Sequence, residues 1–403
     1  MTAVEGTPLR VLVVSRSYPS DLLPMLGLWV ERPTQLLAER CDVRVISSTP
    51  WCPPLPPIGP LRQYTRFRRI PRREVRSGIE ILRPRFLAGP GWSLHFLESR
   101  AQELGMRRAV ARLRRSFPFD LVHAHMVYPE GAVAHRLSRR YGLPFVLTEH
   151  APWSEQWFAS AAVRREALAA GRAAASVLAV STSVKETIAS YGIESSKVRV
   201  VPVGVDPDRF RLDESETREP RQILYVGWLN YNKGIDDLLH AVDLIRRDGE
   251  RVRLLLVGSA AYRKTRLEEE ALRRLADSLG LADAVVFLGR QPQDEVARLM
   301  RQSAVLVLPS QAESFGAVLV EALASGTPVV ATRSGGPEDI VQDGVGVLVP
   351  PRDPAKLAKA ILEVLARRAS FEPERLRRYA LSRFSWERVV EETEAAYRSA
   401  LPR

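Results

Sequence analysis

Two glutamates eight positions apart, Glu313 and Glu321, bracket the run Glu313-Ser314-Phe315-Gly316-Ala317-Val318-Leu319-Val320-Glu321. The apolar residues 305–308 precede it and Gly326-Thr327-Pro328 follows, so it reads as a strand-to-helix crossover. A helix starting near Phe315 would aim its free N–H groups and positive dipole end at the carboxyl ends of the strands, where anions bind in open α/β sheets. That is a diphosphate site. Glu321 would lie about 12 Å beyond Glu313 at helical rise. The two are therefore too far apart for an acid/base pair and must meet different parts of one long ligand.

Lys233 closes the run Gly227-Trp228-Leu229-Asn230-Tyr231-Asn232-Lys233-Gly234, which follows another apolar stretch. It can direct a charge-assisted hydrogen bond, about 1.5–3 kcal/mol, at phosphates bound above the sheet. Only six of the 59 basic residues are lysines, which sets it apart from the arginine-rich surface, although plain solvation is the competing reading. Arg333-Ser334-Gly335-Gly336-Pro337-Glu338 offers two glycines that let backbone approach a ligand, or equally a tight turn opening a helix at Pro337.

Histidines gather at strand ends in the first half. In Val122-His123-Ala124-His125-Met126, strand alternation is expected to set one histidine toward the cleft and the other away from it or into the layer below. His150, in Thr148-Glu149-His150, is a second candidate for acceptor or donor contact. No carboxylate pair has the spacing logic of a hydrolase. The one Asp-x-Asp, Asp206-Pro207-Asp208, sits where a turn is expected rather than beside a Gly-rich site, so no metal site is expected.

Short β-rich runs alternate with helical periodicity throughout, the sequence form of parallel α/β units. Strands are expected at 9–14, 43–47, 79–83, 121–124, 145–148, 177–180 and 198–201, then at 223–226, 254–257, 285–288, 305–308, 329–331 and 347–349. Between the two series, residues 205–221 replace any apolar face with turn formers and charge. The expected organisation is a first domain at 1–205, a second at 206–383 and a closing amphipathic helix at 384–403 with Ser385 as its N-cap. Residues 51–61 carry five prolines, with Pro50 just before, and are expected to form an exposed loop.

The net charge of +12 is concentrated, because residues 62–115 hold 15 arginines, no lysine and four glutamates. Trp51, Tyr64, Phe67, Trp92, Leu94, Phe96 and Leu97 lie within or beside that stretch, a mixture suited to an anionic lipid surface. Nucleic acid and a merely solvated basic face are the alternatives, and the nucleic-acid reading is not adopted. Cys41 and Cys52 are too few for a disulfide framework, and no apolar run approaches the roughly 18 residues needed to span a bilayer. A cytoplasmic protein, peripheral on the inner face of the plasma membrane, is the expectation.

In this setting Glu313 and Glu321 resemble the signature of family 4 glycosyltransferases. The resemblance implies a GT-B fold, two Rossmann-like domains facing each other across a cleft, with the closing helix crossing back to the first domain. It further implies a retaining, metal-independent transfer from a nucleotide sugar, with a UDP- or GDP-sugar as donor substrate, no cofactor, and a saccharide or lipid-linked acceptor. By resemblance, Glu313 lies near the transferred sugar, Ser314, Phe315 and Gly316 hold the diphosphate, and Glu321 binds the ribose. Lys233 joins them, while Trp228 stands where the family usually has arginine. His125 is implied at the anomeric centre, and Gly27 is implied in a loop that closes on the diphosphate. Val201-Pro202-Val203-Gly204-Val205-Asp206 resembles the family's interdomain segment, and Tyr128-Pro129-Glu130-Gly131 is similar to members that assemble capsular, teichuronic or exopolysaccharide chains. Two other readings stay open: a non-catalytic, membrane-associated GT-B subunit and a GT-B nucleotide-sugar epimerase.

Overall fold

A computed structural model describes residues 8–51, 65–88, 95–260 and 263–401. The chain divides into two compact units, one of residues 1–201 with 389–403 and one of residues 202–388.

The first unit is built on an eight-stranded sheet. Its strands are β1 (Arg10–Val14), β2 (Asp42–Ile46), β4 (Arg73–Arg76), β5 (Ile79–Leu82), β7 (Leu121–His125), β8 (Phe145–Glu149), β9 (Ser176–Ala179) and β10 (Val198–Val200). The order is β10-β9-β8-β7-β1-β2-β5-β4, and every pairing is parallel except β4 with β5. Val11 to Val14 and Leu121 to Ala124 are buried because helices cover both faces of a parallel sheet. Those helices include α1 (Leu28–Leu37), α2 (Glu98–Ser116), α3 (Ala132–Tyr141), α4 (Ala161–Ala173) and α5 (Thr182–Ser190). The short strands β3 (Thr49–Trp51) and β6 (Arg85–Leu87) form a separate parallel pair. Pro50 and Trp51 are therefore strand residues rather than loop, tolerated because β3 is paired on one side only. The rest of the proline-rich loop lies outside the described residues.

The second unit has six parallel strands: β11 (Glu219–Val226), β12 (Arg253–Val257), β13 (Val285–Gly289), β14 (Ser303–Leu308), β15 (Val329–Thr332) and β16 (Gly346–Val349). Their order, β13-β12-β11-β14-β15-β16, is the doubly wound Rossmann arrangement, with its crevice where the winding reverses between β11 and β14. The crossovers are α6 (Ile235–Arg247), α7 (Arg263–Ser278), α8 (Gln293–Gln302), α9 (Ala317–Ala324) and α10 (Pro337–Ile340), and α11 (Pro354–Ala366) follows β16. After α12 (Pro373–Phe384), the helix α13 (Trp386–Ala400) begins with Ser385 Oγ accepting from the Arg388 N–H.

The divisions fall four to five residues from the expected ones, at 201/202 and 388/389. Packing explains both shifts. Val205 N–H donates to the Phe384 carbonyl oxygen and pairs with Ser385, and Trp386 lies against Gly204, so 202–205 and 384–388 are held together in the second unit. Val390, Ala396 and Tyr397 are buried in the first. Asp206 forms the expected turn, its side chain accepting from the N–H groups of Asp208 and Arg209.

Candidate active site

In the second unit, the loops leaving β11 and β14 meet at the point where the sheet's winding reverses. Lys233 Nζ lies 2.6 Å from Glu313 Oε2, and Ser310 Oγ donates to the same oxygen at 3.1 Å. The loops are tied by the Gln311 N–H donating to the Asn232 carbonyl oxygen at 2.9 Å. Asn230 caps the turn that carries Lys233 by accepting its N–H at 3.1 Å. Gly234 follows in the left-handed region, φ 64°, where a Cβ would run into the Pro309 carbonyl oxygen.

Helix α9 starts at Ala317 rather than near Phe315. Gly316 has φ 95° and cannot continue a right-handed helix, so the first turn is displaced by two residues. The backbone of Glu313 is clamped to the glycine loop: its N–H donates to the Ser334 carbonyl oxygen at 2.9 Å, and its own carbonyl accepts from the Gly336 N–H at 2.8 Å. A Cβ on Gly336 would collide with the Phe315 backbone. Ser314, Phe315, Gly316 and the Gly335-Gly336 pair thus form one assembly beside Lys233. Glu321 lies in α9, partly exposed, with no hydrogen-bond partner for its carboxylate among the described residues; burial pushes its pKa up to about 7. The Trp228 indole is 45% exposed, while its carbonyl accepts from the buried Tyr225 hydroxyl at 2.8 Å.

In the first unit the corresponding reversal lies between β1 and β7. His123 and His125 do not part to opposite sides. Their rings are 4.4 Å apart, since residues i and i+2 of a strand share a face. His125 Nδ1 is 2.9 Å from His150 Nε2, and the two rings stack at 5.2 Å. His123 is locked by Tyr397 Oη at 2.6 Å and Thr148 Oγ1 at 2.7 Å. Burial depresses all three, His123 to about 3, His150 to about 4 and His125 well below its ordinary value. They are neutral rings that can hydrogen-bond but carry no charge at neutral pH. Gly27, φ 82°, caps α1, and a Cβ there would strike the Ser17 carbonyl.

Three participants escaped the sequence reading. Glu149 is fully buried and accepts from the Val127 N–H, the His150 N–H and Trp153 Nε1, fixing the loops after β7 and β8; burial raises it to about 7. It stood in the same triplet as His150. Ser310 carried no local signal, and Tyr397 was legible only as part of the apolar face of the closing helix, not as the partner of His123. Among the described residues no cluster of histidine, cysteine and acidic side chains could hold a metal ion, and no helix is long and apolar enough to cross a membrane.

Comparison with known proteins matches residues 30–209 to the model described as Glycosyltransferase Family 4, and residues 207–383 to Glycosyl transferases group 1. A D-inositol 3-phosphate glycosyltransferase of Acidothermus cellulolyticus is 35% identical over 70% of this chain and 68% of its own length. A glycogen synthase of Mycobacterium tuberculosis is 30% identical over 97% and 95%. Among solved structures, sucrose-phosphate synthase from Thermosynechococcus elongatus superposes with a TM-score of 0.78 at 22% identity, over 97% and 98% of the two chains. HepE from Anabaena, in complex with UDP, superposes with 0.72 at 20% identity, over 97% and 100%. The GT-B fold is shared with these structures.

Proposed function

This chain belongs to the family 4 glycosyltransferases, and from that premise we propose that it moves a sugar from a nucleoside-diphosphate donor to a saccharide or lipid-linked acceptor, with retention and without a metal. The observation that carries the reading is the Lys233–Glu313 pair, held at the sheet's reversal beside the Gly316-capped start of α9. Lys233 turns its ammonium from Glu313 to the diphosphate, and the α9 amides share the charge that grows on the leaving phosphate. Glu313 then holds hydroxyls of the transferred sugar. The unpartnered Glu321 carboxylate accepts the ribose hydroxyls. The UDP complex of HepE supports a uridine nucleotide, with a guanosine nucleotide as the alternative.

The acceptor hydroxyl attacks the anomeric carbon as the bond to the diphosphate breaks on the same face, and the departing phosphate oxygen takes the hydroxyl's proton. His125, held neutral against His150, hydrogen-bonds the donor sugar without adding charge, and Gly27 lets the first loop approach the diphosphate. Trp228 contributes an indole face instead of a second cation. Turnover with UDP- or GDP-sugars in excess EDTA, and an unchanged anomeric configuration by NMR, are the expected results; loss of turnover or an inverted product removes the corresponding part. Donor binding without turnover would leave a non-catalytic subunit, and sugar interconversion without acceptor an epimerase.

The membrane reading is retained as part of the proposal, with a role in cell-envelope or exopolysaccharide synthesis on the cytoplasmic side. Arg107, Arg108, Arg112 and Arg115 lie exposed along α2, with Leu104 exposed on the same helix. Helix α2 packs closely on β6, whose Leu87 is also exposed, and Phe96 and Leu97 flank its start. Other arginines of the stretch serve within the fold: Arg73 pairs with Glu80, Arg76 with Glu31, Arg83 with Glu74 and Arg100 with Glu166. Tyr64, Trp92 and Leu94 lie outside the described residues.

A further inference from the structure

A cavity of about 420 Å³ lies in the second unit at the amino end of β11, the opposite edge of the sheet from the loops that carry Lys233 and Glu313. Pro220 on its wall and Val226 at the carboxyl end of the strand are about 20 Å apart at strand rise. The volume falls within the range of about 300–1,000 Å³ that small-molecule sites occupy. Helices α6 and α11 pack side by side, and their carboxyl-terminal ends border the cavity.

The walls divide by chemistry. Pro220, Leu362 and Leu365 make an apolar side, and Arg221, Glu250 and Arg368 a charged one. Arg221 is taken by Glu250 at 2.7 Å. Arg368, in the exposed turn Arg368–Ser370, is not taken, since its guanidinium makes no hydrogen bond or ion pair with any described residue. Half-buried Arg218 stands near enough for the two charges to repel, and burial together with Arg368 holds its pKa below the ordinary value. The Arg218 donors meet neutral acceptors, the Arg301 carbonyl at 3.2 Å, the Gly326 carbonyl at 2.8 Å and Thr327 Oγ1 at 3.5 Å. Cations withdrawn from water are ordinarily matched by a counter-charge, yet no carboxylate among the described residues pairs with either of these two. The carbonyl ends of α6 and α11 offset about half a charge each, which leaves about one positive charge unmatched.

We propose that this cavity is a binding site for a small amphipathic carboxylate, whose apolar body lies on Pro220, Leu362 and Leu365 and whose carboxylate pairs with the Arg368 guanidinium. An apolar wall beside one unmatched cation fits a ligand with an apolar body and a single negative charge, and the planar fork of arginine meets a carboxylate with two parallel bonds. A phosphate monoester, with about two charges, exceeds what the site leaves unmatched. The site stands apart from the transfer reaction and does not rest on it.

The test is titration calorimetry on the full chain with octanoate, beside octanamide, acetate and hexyl phosphate. Octanoate is expected to bind about tenfold or more tighter than octanamide, which lacks the charge, and than acetate, which lacks the body. Arg368→Gln is expected to weaken octanoate about tenfold, the worth of one charge-assisted hydrogen bond. Glu250→Gln is expected to tighten it about 2–5-fold, because Arg221 is released to join Arg368. Arg368 is exposed and Glu250 half-buried, so both variants are expected to fold, which their melting temperatures check. Saturating UDP is expected to leave octanoate binding unchanged. No binding of octanoate, octanamide bound as tightly, indifference to Arg368→Gln, weakening by Glu250→Gln, hexyl phosphate bound more than about tenfold tighter, or displacement by UDP overturns the proposal.

Discussion

Lys233 and Glu313 form a pair that each ligand part must divide, and this makes their variants distinguishable. Lys233→Ala is expected to lower transfer about 10–150-fold, the worth of one charge-assisted hydrogen bond to the diphosphate, as measured by initial rates at saturating acceptor. Glu313→Gln is expected to keep UDP affinity within about threefold while transfer falls, because its work is on the sugar. Glu321 adds a pH signature. With its pKa near 7, it is largely protonated at pH 6 and ionised at pH 8. A charge-assisted acceptor exceeds a neutral one by about 1 kcal/mol, so UDP affinity by calorimetry is expected to rise about fivefold across that interval, and Glu321→Gln to flatten the rise. The histidines act on stability in the opposite sense to the raised carboxyls. His123 and His150 titrate below their ordinary 6.5, so they stabilise the fold above that value and lose the contribution as pH falls toward 3 to 4. Glu149 and Glu130, raised to about 7, contribute below their ordinary 4.5 and lose it as pH rises through 7. His123→Gln, which can still meet Tyr397 and Thr148, is expected to make melting temperature fall less steeply between pH 6.5 and 4.

At the scale of elements, glycines decide where loops end. Gly336→Ala would force a methyl into the Phe315 backbone, and the expected outcome is loss of UDP binding, read by calorimetry, together with a lower melting temperature. This crossover was legible from residues 303–338 because a buried parallel strand leaves a continuous apolar run, and its flanking glycines mark turns. The start of α9 was misread by two residues, since the sequence does not say whether a glycine lies inside the first turn or, as Gly316 does, takes the left-handed conformation just before it. The strands β3, β4 and β6 went unseen for another reason. Each has three or four residues, arginine or proline among them, and is paired on one side, so none shows a continuous run of buried apolar residues. The histidine faces were misassigned by arithmetic of period, two positions being one full repeat of a strand.

For the whole molecule, the arginine-rich face of α2 is the feature with the widest reach. Flotation with anionic liposomes is expected to recover the chain, neutral liposomes to leave it behind, and the triple variant Arg107→Glu, Arg108→Glu, Arg112→Glu to abolish recovery; equal recovery on both lipids counts against lipid docking. The fold class and the two-unit division were visible in the alternation of runs, whereas the membership of residues 389–403 in the first unit depended on tertiary contact. That membership also has a consequence in time. His123 finds its Tyr397 partner 274 residues later in the chain. At about 5–20 residues per second, a ribosome needs roughly 14–55 s to cover that span. The first unit to emerge is therefore the last to be completed, and throughout the synthesis of the second its histidine cluster waits without the ring that closes it.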